Sequence, residues 1–102
     1  MILRLLDEAR EEMRESARWY DNQRKGLGSE FLDAIERALE LIEEHPNRST
    51  KVATRYEDRD VRRNVVKRFP FVIVYEILQT EVLVVAIAHT KRRPKYWESR
   101  LS

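Results

Sequence analysis

The sequence contains no cysteine, and its 102 residues include only two histidines and two glycines. The lack of cysteine excludes disulfide bonds, thiolate catalysis and zinc held by sulfur. His45 and His89 alone do not make a ligand cluster for a transition metal. With only Gly26 and Gly28, there is no phosphate-binding P-loop, dinucleotide fingerprint or nucleophile elbow. We therefore expect neither a metal ion nor a cofactor.

Long hydrophobic runs are also absent. The longest, Val82 to Ala88, is far shorter than the roughly 20 residues that a bilayer span needs. The start, Met1 to Leu6, lacks the order of charged, apolar and small residues that marks a signal peptide. Hydrophobic residues make up 42% and charged residues 37%, which is typical of a small core beneath a heavily charged surface. We expect one cytoplasmic domain with no membrane partner.

Positive charge is concentrated in the second half of the chain. Residues 1–50 carry 8 Lys and Arg against 12 Asp and Glu, a net of −4, whereas residues 51–102 carry 12 against 6, a net of +6. A concentrated positive surface attracts polyanions or acidic protein segments through its summed field. Nucleic acid or an acidic partner is therefore one hypothesis, and a merely solvated basic surface is the alternative.

The first half has the pattern of two helices. Apolar residues recur there at steps of three and four, the period of a helix with one buried face. The pattern predicts a first helix over about residues 7–25 and a second that is capped by Ser29 and ends at His45-Pro46. Gly26 and Gly28 favour a tight reversal between them. The two helices should pair antiparallel.

Three segments rich in β-branched and aromatic residues follow: Val61 to Val66, Phe71 to Leu78 and Val82 to His89. The short connections between them predict an antiparallel meander. Ile2 to Leu5 is a candidate additional strand, and Val52 to Arg55 is a candidate extension of the first meander strand. The predicted fold class is α+β, with an N-terminal antiparallel helix hairpin packed on one face of a small antiparallel β-sheet.

Two adjacent arginines lie on the first strand of the meander. Side chains alternate along a strand, so Arg62 and Arg63 point to opposite faces, and at least one should lie away from the helices or at the sheet rim. That arginine is a candidate phosphate ligand, because a guanidinium donates two hydrogen bonds at once to a phosphate. The alternative is a structural ion pair with an acid among residues 57–60.

The last strand ends at His89, and residues 90–97 follow it with the sequence Thr-Lys-Arg-Arg-Pro-Lys-Tyr-Trp. This cluster joins a histidine, which can shuttle a proton, with several cations and two rings able to stack on a base. RNA cleavage without metal needs a base for the 2′-hydroxyl, an acid for the leaving 5′-oxygen and cations around the phosphorus. The alternative is structural: His89 bonds locally, and Tyr96 and Trp97 close an open edge of the core.

Short motifs occur in a fixed order along nearly the whole chain. They are Ala17-Arg18-Trp19-Tyr20, Gly26-Leu27-Gly28 with Phe31, Ile42 through Pro46, Val61-Arg62-Arg63, Arg68 through Tyr75, Val85 through His89, Arg92-Arg93-Pro94, Tyr96-Trp97 and Arg100. Their order and spacing together resemble the RelE/ParE superfamily of bacterial toxins from type II toxin–antitoxin modules. The resemblance is strongest to its ParE-like, or plasmid stabilisation, branch.

The resemblance implies a growth-arresting toxin, with a single toxin-like domain over residues 1–102. A cognate antitoxin would neutralise it by wrapping an acidic or amphipathic segment around it. The ParE-like branch includes inhibitors of DNA gyrase, and we expect this chain to arrest growth by binding gyrase.

Two alternatives stay open at this point. RelE-like members cleave mRNA, generally on the ribosome, and a metal-independent endoribonuclease here would use Arg62, Arg63, His89, Arg92 and Tyr96. The second alternative is an inactive nucleic-acid-binding relative. The residues expected to bind a partner or nucleic acid are Arg55, Lys67, Arg68, Lys91, Arg93 and Trp97.

Overall fold

The computed structural model describes residues 1–101, in which a helix hairpin packs on one face of a five-stranded sheet. The helices are α1 (Asp7–Gln23) and α2 (Leu27–Glu44), and the strands are β1 (Ile2–Leu5), β2 (Thr50–Lys51), β3 (Val61–Val65), β4 (Phe71–Ile77) and β5 (Glu81–His89). Short 3₁₀ turns lie at Pro46–Arg48 and Glu98–Arg100.

The reversal between α1 and α2 depends on a glycine and on an acid of the first helix. Gly26 has a φ of 91°, a left-handed conformation that glycine adopts without steric cost. The backbone N–H groups of Gly26 and Gly28 donate to Oδ1 of Asp21, at 3.1 and 2.9 Å. Asp21 therefore caps the start of α2 from outside that helix. The prediction that Ser29 is the cap is wrong, because Ser29 is exposed and lies inside the first turn of α2.

We expect Gly28→Ala to lower the free energy of unfolding by about 1–3 kcal/mol. A β-carbon on Gly28 would lie 2.5 Å from the backbone oxygen of Ala17 and 2.9 Å from Oδ1 of Asp21, so the two helices would have to separate. Urea denaturation followed by circular dichroism measures the change. Ser29→Ala is the control and should change stability by less than about 0.5 kcal/mol. Equal losses in the two variants would contradict a close approach of the helices at Gly28.

The strands are ordered β1-β5-β4-β3-β2 across the sheet. β3, β4 and β5 pair antiparallel in sequence order, which confirms the predicted meander. β1 lies parallel to β5, with Leu5 opposite Val84, so the candidate strand Ile2 to Leu5 is also confirmed. The second half of β5 has no strand on its outer side among residues 1–101.

The expected strand extension at Val52 to Arg55 is wrong. The strand next to β3 is the two-residue β2, and the chain leaves the sheet after Val52 donates a last hydrogen bond to the carbonyl of Val61, at 2.7 Å. Val52 and Tyr56 then pack against the sheet face that points away from the helices. After Val52 the segment therefore covers the face of the sheet that points away from the helices, and it does not extend the sheet edge.

The first core lies between the helices and the sheet. Its centre is a cluster of four aromatic rings, Tyr20, Phe31, Phe69 and Phe71, with ring centroids 4.9 to 6.2 Å apart. Such offset and edge-on contacts add to the stabilisation that burial provides. The aromatic cluster ties both helices to β4 and to the turn before it.

A second core covers the opposite side of the sheet, here termed the far face. Its buried members are Val61, Val74, Val85, Ala86, Ala88, Trp97 and Leu101. The last two come from residues 90–101, which fold back across the sheet. The C-terminal segment therefore covers much of the far face, in line with the structural alternative in which Tyr96 and Trp97 close an edge of the core.

The architecture is α+β, a helix hairpin on a mostly antiparallel sheet, as the sequence predicts. Neither of the helices found in residues 1–101 is both long enough and apolar enough to cross a membrane.

Candidate functional site

A pocket of about 280 Å³ opens on the far face, where β5 ends and the chain turns into the C-terminal segment. It is termed the far-face pocket. Its lining residues are Val52, Arg63, Val72, Val74, Ala88, His89, Thr90, Arg92, Arg93, Pro94, Lys95, Tyr96 and Trp97. Strand residues form its apolar floor, and the turn after β5 supplies most of its polar rim.

Four cationic side chains surround the far-face pocket: Arg63, Arg92, Arg93 and Lys95. All four are exposed. The described lining contains no Asp or Glu, and no carboxylate within residues 1–101 lies within 4.0 Å of these four cations. The pocket therefore presents uncompensated positive charge, which favours an anionic ligand.

The two adjacent arginines of β3 lie on opposite sides of the sheet, as strand alternation predicts. Arg63 is on the far face, whereas Arg62 is opposite Tyr75 on the helix side. Nε of Arg62 donates to Oδ1 of Asp60 at 2.9 Å, and its Nη1 donates to two backbone carbonyls. Arg62 thus forms a structural ion pair with Asp60, which is the alternative considered from the sequence. The candidate nuclease site requires Arg62 to lie beside Arg63 and Arg92, but Arg62 lies on the other side of the sheet.

His89 lies half-buried in the wall of the far-face pocket. Its Nδ1 accepts a hydrogen bond from the backbone N–H of Lys91 at 3.0 Å, and its ring packs edge-on against Phe71 with centroids 5.2 Å apart. This is the local bonding that the structural alternative describes. It leaves Nε2 as the ring nitrogen available to a ligand. Lys91 is exposed in the same turn but does not line the pocket.

Tyr96 supports the pocket with its ring and bonds away from it with its hydroxyl. The hydroxyl donates to Oε2 of Glu12, and the Arg92 guanidinium lies 3.8 Å from the centre of the ring. Burial raises the pKa of Tyr96, and the hydrogen bond to the Glu12 carboxylate raises it further. The Tyr96 hydroxyl is therefore a protonated donor at neutral pH, committed to Glu12.

Glu12 of α1 joins the helix layer to the C-terminal segment at the edge of β5. Where β1 no longer covers this edge, the backbone N–H of Ile87 donates to Oε1 of Glu12 at 3.1 Å. Arg100 donates two hydrogen bonds to the Glu12 carboxylate and one to the carbonyl of Val85, each 3.0 Å long. The sheet edge is thus satisfied by side chains in place of a strand. Sequence reasoning missed Glu12, because 75 to 88 residues separate it from its partners.

Two other candidate binding residues, Trp97 and Arg55, have structural contacts that involve the C-terminal segment. Trp97 borders the far-face pocket but is only 5% exposed, so its indole belongs to the far-face core and is closed to stacking on a base. Arg55 lies at another part of the surface, where its backbone N–H donates to Glu98 at 2.8 Å and its guanidinium is over the ring of Tyr56.

Lys67 and Arg68 lie away from the far-face pocket, beside a groove between α2 and the end of β3. Arg68 pairs with Glu30 at 2.9 Å. Hydrogen bonds from Arg68 and then from Arg24 lower the pKa of Glu30.

The site residues predicted from the sequence divide into two groups. Six of them line the far-face pocket: Arg63, His89, Arg92, Arg93, Tyr96 and Trp97. The other five lie outside it: Arg55, Arg62, Lys67, Arg68 and Lys91.

The far-face pocket is chemically suited to holding an anion. Guanidinium groups donate paired hydrogen bonds to phosphate or carboxylate oxygens. Over residues 1–101, no three His, Asp or Glu side chains come together in a way that could hold a metal ion. Proton transfer within the pocket would fall to His89, since the hydroxyl of Tyr96 is engaged with Glu12.

This helix hairpin on a sheet is the fold of a chain in a known toxin–antitoxin structure. The solved structure described as "Chromosomal ParDE TA system from P. aeruginosa" matches with a TM-score of 0.74 and 14% sequence identity, covering 87% of this chain and 95% of that chain. No curated protein matches the sequence. The family model described as "ParE toxin of type II toxin-antitoxin system, parDE" matches residues 3–94. The chain therefore belongs to the ParE toxin family, which confirms the resemblance found in the sequence.

Proposed function

We propose that this chain is the toxin of a type II toxin–antitoxin pair and arrests growth by binding DNA gyrase in the cytoplasm. Membership of the ParE toxin family supports the toxin assignment. The observation that favours binding over cleavage is the engagement of Tyr96 by Glu12, which leaves the pocket without an available tyrosine base.

A cognate antitoxin would hold the toxin inactive. The net charge of +6 in residues 51–102 complements an acidic segment. The exposed side chains of Trp19 on α1 and Leu41 on α2 offer apolar contacts to an amphipathic helix. Both features support the wrapping mode that the resemblance implies.

We expect the purified chain to inhibit the negative supercoiling of relaxed plasmid by gyrase, and its expression in cells to induce the DNA damage response. Agarose gels of the plasmid topoisomers measure the first effect, and a damage-inducible reporter measures the second. The control is the same preparation mixed beforehand with the antitoxin, which should restore supercoiling. Unaffected supercoiling together with a silent reporter would contradict gyrase as the target.

A metal-independent mRNA endonuclease is the second candidate, because Arg63, Arg92 and His89 do line one pocket. Its test is primer extension on translated messages from expressing cells, run beside the supercoiling assay. New 5′ ends that disappear with His89→Gln would identify a nuclease, since removing a general acid–base group costs about 10²- to 10⁴-fold in rate. Intact messages in growth-arrested cells would exclude it.

A further inference from the structure

We propose that the far-face pocket binds the phosphodiester backbone of duplex DNA and does not cleave it. The choice of DNA as the ligand rests on the proposed function, because gyrase acts on duplex DNA and a toxin bound to it lies close to that duplex. The binding itself rests on the charges, contacts and burial around the pocket.

Cations from two distant parts of the chain converge on the far-face pocket. Arg63 comes from β3, whereas Arg92, Arg93 and Lys95 come from the turn after β5. No described carboxylate neutralises them within 4.0 Å, so an entering phosphate displaces no internal partner. Arg92 is also held over the ring of Tyr96, at 3.8 Å, and a preordered side chain loses less entropy on binding.

The aromatic rings at the far-face pocket already pack against other groups of the protein. Proteins that bind single strands stack the bases on open aromatic faces. Here Trp97 is buried in the far-face core, and Arg92 occupies a face of Tyr96. The pocket can therefore bind phosphates but has no open ring on which an unpaired base could stack. This favours duplex DNA over a single strand, with contacts to the backbone that do not depend on base sequence.

The far-face pocket lacks a free pair of proton-transferring groups with which to cleave a phosphodiester. Strand scission at a phosphodiester needs a proton acceptor for the nucleophile and a proton donor for the leaving oxygen. The Tyr96 hydroxyl is committed to Glu12, and Nδ1 of His89 accepts the backbone N–H of Lys91. A single remaining ring nitrogen does not supply both transfers at once. The pocket can therefore bind a phosphate without cleaving the phosphodiester.

The experiment titrates a fluorescein-labelled 20-base-pair duplex with the purified full chain and follows fluorescence anisotropy between 50 and 200 mM KCl. Each phosphate contact contributes about −0.9 to the slope of log K against log salt. We expect Arg63→Ala and Arg92→Ala each to flatten that slope by about one unit. Each should also weaken binding about eightfold at 0.1 M salt, as one lost contact implies. Arg63→Lys keeps the charge and should keep the slope.

The matched control is Arg14→Ala, which removes one positive charge from an exposed site on α1. It should leave both the affinity and the slope within error of the unsubstituted chain. An equal loss in Arg14→Ala and Arg63→Ala would show attraction by net charge alone and overturn the proposal. So would tighter binding to single-stranded RNA or to an acidic peptide, or a cut strand on a denaturing gel.

The supercoiling assay separates this proposal from the proposed function. A chain that inhibits gyrase but does not bind the duplex would overturn the DNA site and leave gyrase as the target. A chain that binds the duplex through Arg63 and Arg92 but leaves gyrase unaffected would support the DNA site. The same result would contradict gyrase as the target of the toxin.

Discussion

Replacing Glu12 by alanine is expected to lower the free energy of unfolding by about 4 kcal/mol. The substitution leaves three buried or half-buried donors without their acceptor: the guanidinium of Arg100, the hydroxyl of Tyr96 and the backbone N–H of Ile87. The C-terminal segment would also lose its attachment to α1. Urea denaturation measures the loss, and a red shift of Trp97 fluorescence in a Trp19→Phe background reports release of the segment.

Glu11→Ala is the matched control for Glu12→Ala. Glu11 precedes Glu12 on α1, but it is exposed and its only described ion pair is with Arg18, at 3.4 Å. Exposed pairs of this kind contribute about 0–1 kcal/mol. If Glu11→Ala and Glu12→Ala have the same cost, Glu12 does not fasten the sheet edge in the way that the contacts indicate.

Arg59→Met is expected to lower the free energy of unfolding by about 3 kcal/mol. Glu76 on β4 is only 2% exposed, and both of its carboxylate oxygens accept hydrogen bonds from Arg59, which also donates to the carbonyl of Leu101. Without Arg59 a buried carboxylate stands without its cation. Urea denaturation followed by circular dichroism measures the effect.

Two further variants test that explanation. Adding Glu76→Met to Arg59→Met should recover most of the stability, because replacing a buried pair by apolar side chains removes the uncompensated charge. Arg4→Met breaks the exposed pair with Glu81 and should cost no more than about 1 kcal/mol. No recovery in the double variant would show that Arg59 stabilises the fold by packing and not by pairing with Glu76.

Periodicity was sufficient to place the helices and most of the strands. Along β4, Phe71, Ile73 and Tyr75 alternate toward the helices, and each apolar stripe of the hairpin meets one core. Local rules also placed the reversal at Gly26, where a positive φ is required. These features depend on residues close in sequence, for which the physical preferences are local.

The rest depends on contacts between distant residues. Alternation separates Arg62 from Arg63 but does not say which of them faces the helices, and Asp60 together with the carbonyls near Pro46–Arg48 stabilises that choice. A tryptophan at position 97 has the same sequence signal whether it stacks on a ligand or fills a core. The two-residue β2 is too short to show a period.

The covering of the far face by residues 97–101 also constrains the order in which the native contacts can form during synthesis. A ribosome makes β3, β4 and β5 before it makes Trp97, Arg100 and Leu101, so until then one side of the sheet and the carboxylate of Glu12 lack their covers. Nascent chains that stop short of Leu101 would carry an exposed apolar sheet, a surface that chaperones and proteases recognise. Synthesis of residues 97–101 is thus a condition for covering the far face of the sheet.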